Sequence, residues 1–147
     1  MENEVDVLIV SSRIENKRTL LRTLEGLPVN TFSASSVFQA LEFLATHPMA
    51  IIFCEERLPD GSYRDRLNSV PTSLQVSRLI VVQCTEEWQE YLEALRLGAT
   101  EVLRVPLQSI DIDIAVFHAM RRGREKHAMA AEALSQANAG AVQAPHG

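Results

Sequence analysis

The stretch MAIIFCEERLPDGS, Met49 to Ser62, decides how this chain is read. Met49 to Cys54 is an unbroken apolar run, too short for a helix and rich in β-branched residues, which suits a strand buried on both faces. It gives way at once to the charged Glu55-Glu56-Arg57. A strand that ends in a charged loop is one half of a βα unit. Two similar runs flank it: Val5 to Val10, broken only by Asp6 and closed by Ser11-Ser12, and Leu79 to Val82, which leads into Gln83-Cys84-Thr85. Val29–Ser33 and Glu101–Val105 are weaker strand candidates.

Helical stripes separate these runs. Ile14, Leu20, Leu21 and Leu24 can share one helix face. Ser35 or Ser36 can cap a helix carrying Val37, Phe38, Leu41, Phe43 and Leu44, and Thr85 can cap one carrying Trp88, Tyr91, Leu92 and Leu95. Gly98 suits the left-handed turn that ends the latter. One short helix is placed near Tyr63–Ser69, stopped before Pro71. Ser109 can cap a last helix in which Ile110, Ile114 and Phe117 are assigned inward. The order βαβαβαβαβα predicts an α/β fold, a flavodoxin-like three-layer α/β/α sandwich with five parallel strands in the order 2-1-3-4-5. In that order any site lies at the carboxyl ends of strands one and three.

A length of 147 residues fits one domain, residues 1–122, followed by a tail, 123–147. The tail holds eight alanines and no aromatic residue, so it is expected to continue as a helix to about Gln136 and then to be disordered. Fourteen Lys+Arg against nineteen Asp+Glu leave a net charge of −5, which argues against a nucleic-acid partner. The cluster Arg121, Arg122, Arg124 and Lys126 is read as a solvated helix end. No apolar run reaches membrane-spanning length and the N-terminus lacks a signal-peptide pattern, so a cytoplasmic location without membrane contact is expected.

Three loops meet at the sheet's carboxyl edge: Ser11-Ser12-Arg13, Glu55-Glu56-Arg57 and Gln83-Cys84-Thr85. They contain no glycine-rich phosphate loop, no zinc spacing among His47, His118, His127, His146 and the two cysteines, and no GxSxG nucleophile motif. No catalytic residue and no metal ligand set is assigned. Cys54 and Cys84 are read as small hydrophobes rather than a redox pair. His118 receives no role.

With these residues in view, the chain resembles the receiver domains of two-component response regulators over about residues 5–122. VLIVSS resembles the first strand, which in that family ends in two acids. IIFCEERLPDGS resembles the third strand and loop, where the phospho-accepting aspartate stands four residues before a proline, a position held here by Glu55. GATEVLRVP, Gly98 to Pro106, resembles the stretch from a Gly-Ala pair to a Lys-Pro. The departures are specific. Ser11 and Ser12 stand where the family's magnesium-binding acids would be, Val105 where its lysine would be, and Val102 where its strand-five aromatic would be. The strand-four hydroxyl falls on Gln83 by spacing or on Thr85 by residue type, with Cys84 between them.

The resemblance thus implies a degenerate pseudo-receiver. It would be a signalling module rather than an enzyme, without conventional aspartyl phosphorylation and with no cofactor, since a hard cation needs oxygen ligands and at least one or two carboxylates. Glu55 is left as either a fixed mimic of the phosphorylated state or a solvated loop acid. The partner is expected to be a protein or a second copy docking on helix 4, strand 5 and helix 5, through Trp88, Glu90, Tyr91, Arg104, Arg121 and Arg122. A histidine kinase is implied by the family, with the missing acids counting against it. The competing reading is a flavodoxin-fold enzyme or small-ligand domain using the Ser11/Glu55/Thr85 edge.

Overall fold

The computed structural model describes residues 5–66 and 78–121. Strands β1 (Val5–Val10), β2 (Val29–Ala34), β3 (Ile51–Glu55), β4 (Arg78–Gln83) and β5 (Glu101–Arg104) form one parallel sheet in the order β2-β1-β3-β4-β5. The connecting helices are α1 (Ile14–Glu25), α2 (Val37–Leu44), α3 (Tyr63–Arg66) and α4 (Trp88–Arg96), and a final helix, α5, covers 109–121. The expected three-layer, flavodoxin-like architecture and strand order are those observed.

Strand alternation divides the core in two. Val7, Ile9, Ile51, Phe53 and Ile80 pack with Leu20 and Leu24 of α1 and with Ile112, Ala115, Val116 and Ala119 of α5. Leu8, Val10, Ile52, Cys54 and Val81 face the other way, onto Ala40 and Leu44 of α2, Tyr63 of α3 and Ala94 of α4. The central strands are apolar throughout because they meet helices on both sides.

Several helix faces differ from the sequence expectation. On α5 the buried stripe is Ile112, Ala115, Val116 and Ala119, while Ile110, Ile114 and Phe117 are 62%, 44% and 63% exposed. Both sets have helical spacing. The stripe that meets the sheet sets Ile112 and Val116 beside the small Ala115 and Ala119, in one cluster with Ile9, Phe53 and Ile80. Ile14 and Phe38 likewise point to solvent, and α1 buries Asn16, Leu20 and Leu24 instead. Thr85 does not cap α4; Glu87 holds that position without a side-chain cap. Ser36 does cap α2, accepting from the Gln39 N–H. Asp60 reinforces that cap, since its two carboxylate oxygens accept from the N–H groups of Val37 and Phe38 at 2.8 and 2.9 Å, where a negative charge also meets the helix dipole. Gly98 ends α4 with φ of +105°, a conformation a side chain would strain. The expected continuation of the short helix past 66 and all of the tail from Arg122 lie outside the described residues.

Candidate functional site

The pairing of Val10 with Cys54 puts the next residue of each chain segment, Ser11 and Glu55, side by side at the carboxyl edge. Glu55 is the last residue of β3 and only 1% exposed. The solvated-loop reading of this acid is therefore incorrect: the neighbouring loops close over it. Its Oε2 accepts from Ser11 Oγ at 2.6 Å and from Asn16 Nδ2 at 2.9 Å. Its Oε1 accepts from the Ser12 N–H at 2.8 Å and from Ser12 Oγ at 3.2 Å. Ser11 Oγ also lies 3.0 Å from the Arg13 carbonyl, but its single proton serves the nearer, charged acceptor better. Four donors thus surround one buried carboxylate, which is how such a charge is tolerated without a cation.

This donor set does not fit a divalent cation. Ser12 contributes an N–H, which cannot ligate a metal. The two hydroxyls are neutral, and Glu55 is the one carboxylate of the cluster. Among the described residues no group of three His, Cys, Asp or Glu side chains is placed to share an ion.

Glu56 is also buried, 2% exposed, but it turns to the other side. Its Oε2 accepts from the Cys84 N–H at 3.2 Å and its Oε1 lies 3.4 Å from Thr85 Oγ1. Arg57 Nε stands 3.9 Å from it, exposed. The proposed Ser11/Glu55/Thr85 trio is thereby divided: Ser11 serves Glu55, while Thr85 serves Glu56. Gln83 is buried and donates to the Glu87 carbonyl at 2.8 Å, holding the loop that leads into α4. Val105 precedes Pro106 across a cis peptide and donates its N–H to the Gln83 carbonyl at 3.1 Å. Its side chain supplies no charge to Glu55. Val102 is half-buried against the α2/α4 core.

Burial, with Glu55 beside it, pushes the Cys54 thiol far above the ordinary thiol range. Burial also raises Cys84, partly opposed by Arg13. Both are free thiols. His118, given no partner from the sequence, has one: its Nδ1 is 2.6 Å from Glu101 Oε1.

At the β5 edge of the sheet, Trp88 is 60% exposed and stacks on Tyr91 with ring centroids 4.9 Å apart. The Arg104 guanidinium lies over both rings, 5.6 and 5.4 Å from their centroids. Glu90, expected to face a partner, is instead held within the chain by Arg64, which also pairs with Glu93 at 3.1 Å. Arg121 is exposed on α5, and Arg122 lies outside the described residues.

Asn16, Glu56, Asp60 and Arg64 were not singled out from the sequence. Asn16 carried a usable signal, because it sits four residues before Leu20 and eight before Leu24 on the inward stripe of α1. A polar residue there needs a buried partner. Arg64 and its acids are far apart in sequence, and no local pattern joins them.

The comparisons bear on this geometry. No protein-family model matches the chain. It is 28% identical over 100 residues to the response regulator protein PilR of Pseudomonas aeruginosa, an alignment covering 68% of this chain and 22% of that protein. The chain therefore spans well under a third of the curated relative it matches. Among solved structures it superposes on a CheY-like response regulator receiver domain from Methanospirillum hungatei with a TM-score of 0.75 at 15% identity, covering 83% of this chain and 98% of the other. A two-component response regulator from Clostridium difficile gives 0.73 at 22% identity, covering 81% and 98%. The chain has the fold of a response regulator receiver domain. The resemblance read from three short motifs is thus matched by the fold over most of the chain. Among the described residues no helix is long and apolar enough to cross a membrane.

Proposed function

We propose that the chain is a receiver-type signalling module that acts by protein contact and does not undergo conventional aspartyl phosphorylation. The observation that carries this reading is the enclosure of Glu55. At the phospho-acceptor position of the receiver pattern, both carboxylate oxygens are engaged by Ser11, Ser12 and Asn16, with no lysine and no second carboxylate in the cluster. Phosphoryl transfer depends on positioning and charge neutralisation, and here the acceptor is occupied by hydrogen bonds and lacks its cations. The contact surface in this reading is α4, β5 and α5, where Trp88, Leu92, Leu95, Ile110, Ile114 and Phe117 are exposed apolar side chains. Trp, Tyr and Arg, gathered here as Trp88, Tyr91 and Arg104, are the residue types that dominate binding energy at protein interfaces.

Incubation with acetyl phosphate and magnesium, followed by intact-mass and peptide mapping, tests the reading. The expected result is no added phosphoryl group. A phosphoryl group mapped to Glu55 overturns it. The Ser11–Glu55 hydrogen bond favours a second reading, a small-ligand or catalytic edge. The turning of Thr85 toward Glu56 counts against that edge working as one constellation.

A further inference from the structure

The opposite edge of the sheet carries a feature that the receiver reading does not use. A groove of about 740 Å³ runs between α1 and the edge strand β2. Exposed Ile14 and half-buried Leu21 and Leu27 give it apolar surface above the buried Leu24 and Val29, and Lys17, Arg18 and Arg22 are the cations along it. None of these three has an acidic partner among the described residues, whereas Arg57 and Arg64 are ion-paired and Arg104 is engaged by two rings. In a chain of net charge −5, this is a local field of the opposite sign, opposed along the groove by Glu25 alone.

We propose that this groove binds an acidic peptide segment of a partner protein, anchored by apolar side chains on the leucines. Shape and charge select that occupant. From Ile14 to Glu25 the helix rises roughly 16 Å, the length of about five residues of extended chain. The cations, from Lys17 to Arg22, cover roughly 8 Å of this length, about the distance between acids two residues apart on an extended chain. They match acids spaced along a chain, and the apolar lining between α1 and β2 asks for side chains that a nucleic-acid backbone does not offer. Since β2 and β5 are opposite edges of the sheet, this partner and one on α4–β5–α5 can bind at the same time, which is what an adaptor needs.

Fluorescence anisotropy with a labelled peptide of glutamates interspersed with leucines tests the proposal, with a peptide carrying lysine in place of each glutamate as control. Saturable binding of the acidic peptide alone, weakened by salt, is expected. Lys17→Glu combined with Arg22→Glu, the first half-buried and the second exposed on α1, should weaken it by roughly tenfold or more, as loss of charge complementarity does at contact sites. Trp88→Ala should leave it unchanged. Equal binding of the two peptides, no effect of the double charge reversal in a variant with native circular dichroism, or loss in Trp88→Ala overturns the proposal. Binding to phosphatidylserine vesicles without peptide binding overturns it as well and assigns the groove to lipid.

Discussion

Glu55 ends β3 as a buried acid held by hydrogen bonds from its own chain. An aspartate in a receiver-type pocket needs neighbouring charge to react. The glutamate here is held by hydrogen bonds from neutral donors, and each of those is open to test. Ser11→Ala leaves Oε2 with Asn16 as its remaining donor and a buried charge under-satisfied. It should cost about 1–3 kcal/mol in chemical denaturation. Ser12→Ala should cost less, because its N–H remains and its hydroxyl bond is long, 3.2 Å. The cysteines give a second residue-scale expectation. Cys54, fully buried and with its thiol pushed up by burial, should resist a thiol reagent at mildly alkaline pH while the half-exposed Cys84 reacts first; peptide mapping after brief labelling checks this. The sign of the linkage follows. A thiol whose folded pKa is raised favours the native state below its ordinary value of 9.0, and that contribution is lost as pH rises from there toward the folded value. Cys54→Val should therefore flatten the stability loss above pH 9.

Between residues and the molecule lie the elements, and here the sequence was legible in some places and opaque in others for physical reasons. The strands were readable because buried parallel strands leave unbroken Val and Ile runs, as in Leu8-Ile9-Val10 and Ile51-Ile52-Phe53. The faces of α5 were not, because Ile110, Ile114 and Phe117 and the set Ile112, Ala115, Val116 and Ala119 both recur at helical spacing. Periodicity does not say which stripe meets the sheet. Ile112→Ala should cost about 2–5 kcal/mol and Ile114→Ala distinctly less, measured by urea denaturation. The site was half legible. The motif spacing located Ser11, Ser12 and Glu55, but that Glu55 is enclosed, and that Asn16 completes its shell, depends on the α1 face and the β1–β3 register together. Rebuilding the loop is informative at this scale. Ser11→Asp with Ser12→Asp replaces two donors by two charges beside Glu55. Without a cation the three carboxylates repel, so the variant should melt lower than the parent in chelator and recover with magnesium, while acetyl phosphate should still not label it fully. Calorimetry showing no gain in magnesium affinity would count against matching these serines to the family's metal acids.

At the scale of the whole molecule, the question is what covers the β5 edge. The exposed side chains of α4 and α5 there are large and apolar, and Arg104 is held flat over Trp88 and Tyr91. A two-fold pairing on this face would repeat each contact, so a weak contact acts twice. Glu90, expected to face a partner, is not free for such an interface: it and Glu93 are tied to Arg64 in the same chain, and reversing Glu90 would disturb α3 as well as any interface. Arg104 is the cleaner probe, because its partners are rings rather than acids. Exposed ion pairs contribute only about 0–1 kcal/mol each, so the aromatic pair should dominate affinity, and salt should matter little. If the occupant is a second copy, sedimentation should show a concentration-dependent dimer that Trp88→Ala weakens strongly, Arg104→Glu weakens less and Glu90→Gln leaves nearly intact. A monomer at every concentration, unchanged by Trp88→Ala, removes the homodimer and leaves a different protein as the partner for the same face. That outcome would fit a module whose two sheet edges, basic at β2 and aromatic at β5, are each complementary to something other than itself.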